Sequence, residues 1–68
     1  MLTKQTKIDI FLNNAGITPI ELSRESGYSR QYLLRVRRGA NPSERCKRAI
    51  IAACRRLSHT PVREDDLF

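Results

Sequence analysis

Apolar residues recur at helical spacing along the chain, and residues that begin or end helices separate the apolar segments. The first segment covers residues 4–15 and is stopped by Gly16. Its apolar face consists of Ile8, Phe11, Leu12 and Ala15. No segment has the strict alternation of a β-strand. The pattern therefore predicts an all-α fold, a compact bundle of four to five short helices.

The second predicted helix is short and has a well-marked start. Thr18 can cap it, Pro19 suits the first helical position, and Glu21 completes a capping box. The helix is expected to end at Gly27, where a left-handed residue would turn the chain sharply.

The third predicted helix runs from Arg30 to about Arg38, with Ser29 as its cap and Gly39 as its stop. Its two inward-pointing residues are expected to be Leu33 and Val36, which lie three positions apart. The outer face would then consist of Arg30, Gln31, Leu34, Arg35 and Arg38.

Asn41-Pro42-Ser43-Glu44 repeats the helix start seen at Thr18, and a fourth helix is predicted from there to about Leu57. Its apolar stripe consists of Cys46, Ile50, Ala53, Cys54 and Leu57. Residues 58–61 break the pattern, and the acidic ending contains a possible short fifth element. The tail over residues 58–68 is expected to pack on the core, and residues 1–68 to form a single domain.

The segment over residues 18–39 has the layout of a helix-turn-helix, whose second helix enters the major groove of DNA. Leu22 can anchor the first of its helices in the core, and Ser23 is small enough for the two helices to approach. Gly27 suits the turn, and Tyr28 can cover the turn as an apolar plug.

The net charge of +6 is concentrated in the middle of the chain. Residues 24–56 carry ten basic and two acidic residues, a net charge of +8, whereas the remainder carries −2. A concentrated positive field favours a polyanionic partner. The alternative is a solvated basic surface that only keeps the protein soluble.

Residues 17–43 resemble the Cro/repressor-type (XRE-like) helix-turn-helix family. The resemblance lies in the framework Leu22…Gly27-Tyr28-Ser29…Leu33…Val36…Gly39…Asn41-Pro42-Ser43 and in the ending Asp65-Asp66-Leu67-Phe68. It implies a lambda-repressor-like domain of about five helices, in which the final Leu and Phe fold back on the core. It also implies a phage or bacterial transcription regulator in the cytoplasm, a repressor that binds a pseudo-palindromic operator in double-stranded DNA as a homodimer.

The resemblance carries the base-reading role to Arg30, Gln31 and Arg35, and contacts with backbone phosphates to Ser29 and Tyr32. Arginine suits guanine and glutamine suits adenine, because each can form two hydrogen bonds to that base. Basic residues beyond the reading positions are expected to follow the phosphates on either side. These candidates are Arg38, Arg45 and Lys47.

Three positions depart from the family pattern. Pro19 replaces the usual polar residue at the start of the second helix, which leaves no phosphate clamp there. Arg37 replaces the usual glutamate, so the family's ion pair is absent or is rebuilt with Asp9. Leu34 is apolar where the family is commonly polar; it either touches a thymine methyl group or is an ordinary exposed leucine.

Other functional classes find little support in the sequence. The sequence has a single histidine, no paired carboxylates on a common rigid face and no phosphate-cradling glycine loop, which argues against an enzyme, a metal site or a cofactor. Exposed aromatic residues for stacking RNA bases are scarce, and no apolar run approaches the ~20 residues of a membrane span. Cys46 and Cys54, about 12 Å apart along one helix, cannot form a disulfide and are expected to be reduced thiols.

The competing hypothesis is a protein-interaction module, such as an antirepressor or an antitoxin-like partner. It would use the basic helical surface, or the acidic tail at residues 62–68 as a docking element.

Overall fold

The computed structural model describes residues 6–68, and within this range it contains five helices and no strand. The all-α prediction is therefore confirmed. The helices are α1 (Lys7–Ala15), α2 (Pro19–Ser26), α3 (Arg30–Arg37), α4 (Glu44–Ser58) and α5 (Glu64–Leu67).

Helix α1 begins later than residue 4, the start that the apolar pattern suggests. Thr6 has an extended backbone and caps the helix by accepting a hydrogen bond of 3.3 Å from the Asp9 amide. The predicted start itself lies outside the described residues. Ala15 continues the apolar spacing of this helix but is exposed. Gly16, with φ of +70°, turns the chain so that Ile17 is buried instead.

Helices α2 and α3 follow the predicted capping pattern. The Glu21 amide donates to Thr18 Oγ1 over 3.2 Å, and the Thr18 amide donates back to Glu21 Oε1 over 3.1 Å. This backbone hydrogen bond is also the main reason why the pKa of Glu21 is lowered. Gly27, with φ of +80°, ends α2, and Ser29 caps α3 by accepting from the Tyr32 amide. Only residues 27–29 separate the two helices.

The core is formed by apolar side chains from all five helices and from the loops between them. Leu33 and Val36 are 2% and 3% exposed, which confirms the predicted orientation of α3. The other buried apolar side chains are Ile8, Leu12, Ile17, Leu22, Cys46, Ile50, Ala53, Cys54, Val62 and Leu67.

Both cysteines are buried on α4 and neither forms a disulfide. Burial raises the pKa of the Cys54 thiol to about 11, because the thiolate would lose its hydration. The thiol therefore stays neutral at physiological pH and behaves as a small core residue, as expected from the apolar stripe of α4.

The C-terminal segment closes the core, as the sequence predicts. Val62 and Leu67 are almost completely buried, and α5 packs against α1 and α4. Arg55 Nε donates to the Val62 carbonyl over 2.9 Å, and Lys7 Nζ donates to the Asp65 carbonyl over 3.3 Å. These contacts fasten the end of the chain to the first and fourth helices.

Candidate nucleic-acid interface

Helix α3 places its polar and charged side chains on the side opposite the core. With about 100° between successive residues, its five outward positions fall within an arc of roughly 140°, and Leu33 and Val36 point the other way. All five side chains are exposed: Arg30, Gln31, Leu34, Arg35 and Arg38. The structure thus brings the three predicted base-reading residues together on one accessible face.

The electrostatics of this face are uniformly positive. Residues 27–43 contain no acidic residue, and within residues 6–68 no salt bridge involves Arg30, Arg35 or Arg38. Elsewhere in the chain, arginines are used in the fold: Arg56 pairs with Glu25 at 3.6 Å. The guanidinium groups of Arg30, Arg35 and Arg38 are consequently available to an external anion.

The beginning of α3 carries the two residues predicted to touch backbone phosphates. Ser29 is exposed, and its Oγ already accepts from the Tyr32 amide over 3.2 Å, which leaves the hydroxyl proton able to donate outward. Tyr32 is half-buried, and its ring stacks on Tyr28 with centroids 5.4 Å apart. Its pKa is raised, mainly by interaction with the Cys46 side chain. Tyr32 therefore covers the junction of α2 and α3 whether or not it also contacts an anion.

The far end of α3 is tied to α1 by two contacts. Arg37 Nε donates to Asp9 Oδ1 over 2.8 Å, so Arg37 is paired with Asp9, one of the two alternatives that the sequence leaves open. Thr6 Oγ1 donates to the Arg37 carbonyl over 2.6 Å. Sequence reasoning misses this second contact, because a threonine that caps one helix gives no sign of a partner 31 residues away. Together the two contacts fix the direction in which α3 points.

Removing the Asp9–Arg37 pair should loosen this attachment. Both side chains are about four-fifths buried, so we expect a coupling free energy of roughly 1 kcal/mol, at the low end of the range for contacting charged residues. The measurement is a double-mutant cycle of Asp9→Asn and Arg37→Gln in urea unfolding. Purely additive effects on the free energy of unfolding would show that the pair does not stabilise α3.

The two candidates on α4 differ in their surroundings. Arg45 is exposed near the start of α4. Lys47 is only 18% exposed, lies 3.8 Å from Glu44 and 3.9 Å from Glu64, and sits 5.7 Å from the centre of the Phe68 ring. Lys47 thus helps to hold α5 and the end of the chain against α4. The i, i+3 spacing of Glu44 and Lys47 signals their pairing within α4, but it does not signal the contacts with Glu64 and Phe68.

Comparisons of the chain with models of protein families, with curated proteins and with solved structures give no match. In the part of the chain from residue 6 onward, no cluster of histidine, cysteine or carboxylate groups is arranged to hold a metal ion. None of the helices described there has the length and apolarity needed to cross a bilayer.

Proposed function

We propose that this protein is a sequence-specific regulator that binds double-stranded DNA by laying α3 in the major groove. The observation that carries the proposal is the outer face of α3, where unpaired guanidinium groups and an amide lie together on a helix whose other side is locked into the core. A helix of this width fits the major groove, and base edges there offer acceptors for such donors.

Within the proposed complex, Arg30, Gln31 and Arg35 read bases. Arg30 opens α3, and the first residues of a recognition helix reach base edges most readily. An arginine at that position is slightly unfavourable for the helix, because the positive end of the helix dipole lies there. Because an arginine at this position does not stabilise the helix, its presence there supports a role in binding.

The backbone contacts proposed are Ser29 at the start of α3, Arg38 after its end, Arg45 on α4, and Tyr32 if its hydroxyl reaches a phosphate. These groups flank the reading face and would fix its register on the duplex without reading sequence. Lys47 is left out of this set because its ammonium group is held between Glu44 and Glu64.

The resemblance to Cro/repressor-type regulators supports a homodimer acting as a repressor. Two copies would place their α3 helices about 34 Å apart, one turn of DNA, on a pseudo-palindromic operator. Occupying such a site within a promoter would block transcription.

The competing hypothesis, a protein-interaction module that docks through its acidic tail, is less well supported. The apolar end of that tail is part of the fold, since Leu67 is 1% exposed and Phe68 packs against the core. Docking through Leu67 or Phe68 would therefore require the tail to leave the core, and the carboxylates of residues 64–66 remain exposed for a partner.

Selection of bound duplexes from a random pool at moderate salt tests the proposal. We expect enrichment of a preferred sequence with two-fold symmetry and a half-site spacing of about ten base pairs. The affinity for that duplex should fall with salt along a log–log slope near −0.9 for each phosphate neutralised. Equal binding of every recovered sequence, or no binding at all, would reject sequence-specific recognition.

A further inference from the structure

An apolar niche opens beside the reading face, between the start of α2 and the middle of α3. Its walls are Pro19, Leu22, Arg30, Leu33, Leu34 and Arg37, and we call it the Pro19–Leu34 niche. Leu22 and Leu33 are buried core residues, whereas Leu34 is 44% exposed at its outer edge. The niche is therefore a continuation of the core that reaches the surface.

The position of Leu34 on α3 relates the niche to the proposed contact with DNA. At helical spacing Leu34 falls between Arg30 and Arg38, near the middle of the outward arc. Its neighbours on the helix surface are cationic or polar, and no acidic residue lies nearby in the sequence. Any partner drawn to this surface by charge is an anion, and it would meet one apolar patch surrounded by hydrogen-bond donors.

The charge of the niche itself is low, although two arginines line it. The Arg37 guanidinium is turned to Asp9 and is neutralised there, so it contributes mainly its alkyl stem. Arg30 stands at the rim. A ligand group that enters the niche should therefore be apolar, while the adjacent group that meets Arg30 should be a hydrogen-bond acceptor.

We propose that the Pro19–Leu34 niche binds the C5-methyl group of a pyrimidine next to the base read by Arg30, an inference that rests on the proposed function. A C5-methyl is the apolar group that base pairs present in the major groove. The methyl group could come from thymine or from 5-methylcytosine, because both carry it at the same ring position. The proline at the start of α2, which leaves no polar clamp there, becomes one wall of a methyl-binding site.

Replacing thymine by uracil at one position at a time in the selected duplex tests this proposal, because that change removes only the methyl group. We expect one position per half-site at which the affinity falls about fourfold, the effect of exposing about one buried methylene-sized group. The Leu34→Ala protein should bind thymine and uracil equally at that position and should keep its preferences elsewhere.

A matched control is Ile10→Ala, since Ile10 on α1 is 45% exposed but lies outside the niche. This variant should retain the full difference between thymine and uracil. A second arm places cytosine or 5-methylcytosine at the sensitive position, and tighter binding of the methylated base should appear there too. Whichever methylated base binds more tightly identifies the source of the methyl group.

The results separate this proposal from the broader one. A preferred duplex that is insensitive to uracil at every position overturns the niche alone, and so does a uracil effect that survives in Leu34→Ala. Failure to select any preferred duplex would overturn both.

Discussion

Replacing Leu67 with alanine is expected to destabilise the domain by about 2–5 kcal/mol, the range for leucines in a well-packed core. Leu67 is 1% exposed and contributes to the core from the last helix. A chain of 68 residues has a total stability of only about 3–10 kcal/mol. The loss corresponds to a roughly 30- to 5,000-fold rise in the ratio of unfolded to folded protein. Urea unfolding followed by circular dichroism measures the change.

The matched control is Leu34→Ala, which removes the same atoms from an exposed leucine and should change the free energy of unfolding by less than about 0.5 kcal/mol. Deletion of residues 62–68 should unfold the domain, because Val62 is lost as well. Wild-type stability in the Leu67 variant would mean that the tail is dispensable for the fold. The tail would then be free to act as the docking element of a protein-interaction module.

Replacing Arg30 with alanine is expected to reduce affinity for the preferred duplex by about 1–3 kcal/mol, which corresponds to roughly 5- to 150-fold. An arginine that bonds both acceptors of a guanine loses both bonds when truncated, and the base acceptors remain dehydrated. Affinity for duplexes changed at that base pair should fall much less. Titration against a panel of single-base-pair variants would show the preference at one position flatten.

Arg45→Ala serves as the comparison, because Arg45 is equally exposed but is proposed to touch only phosphate. It should weaken binding to all duplexes evenly and lower the magnitude of the salt slope by about one. An Arg30 variant that keeps full sequence preference would show that the reading residues lie elsewhere on the surface.

The sequence predicts the ends of α2 and the start of α3 well, because the capping interactions that set them are local. The Thr18–Glu21 box and the serine cap at Ser29 both span three residues. Helix α4 starts later than its pattern suggests, because Ser43 caps it in place of Asn41, the residue that corresponds to Thr18. Gly27 adopts the left-handed backbone that its position requires. His59 adopts the same left-handed conformation at the end of α4, which could not be predicted from its residue type.

The predictions that fail or stay incomplete concern residues with distant partners. Ala15 shares the helical spacing of Ile8 and Leu12 but is exposed, whereas Ile17, beyond the turn at Gly16, is buried. Lys47 looks like any exposed lysine in a basic stretch until Glu64, 17 positions later, is brought beside it by α5. Helical periodicity says which side of a helix is apolar, but not which neighbours will lie against the other side.

Part of the candidate interface could be predicted from the sequence and part could not. The shared exposed face of α3 could be predicted, because burial of Leu33 and Val36 determines that Arg30, Gln31 and Arg35 point outward. The Pro19–Leu34 niche requires the packing angle between α2 and α3, which no local pattern specifies. The same holds for the bond from Thr6 to the Arg37 carbonyl.

The short connections between helices have a consequence for how the chain folds. Only residues 16–18 and 27–29 separate the first three helices, and each helix start is set by side chains within its own first turn. Helices α2 and α3 can therefore meet after little loss of chain entropy, whereas α1 packs against α5 and α2 against α4 across longer stretches of chain. A small helical chain of this kind folds within microseconds to milliseconds. The final step would be arrival of the last four-residue helix, which is too short to form before the groove that receives it exists.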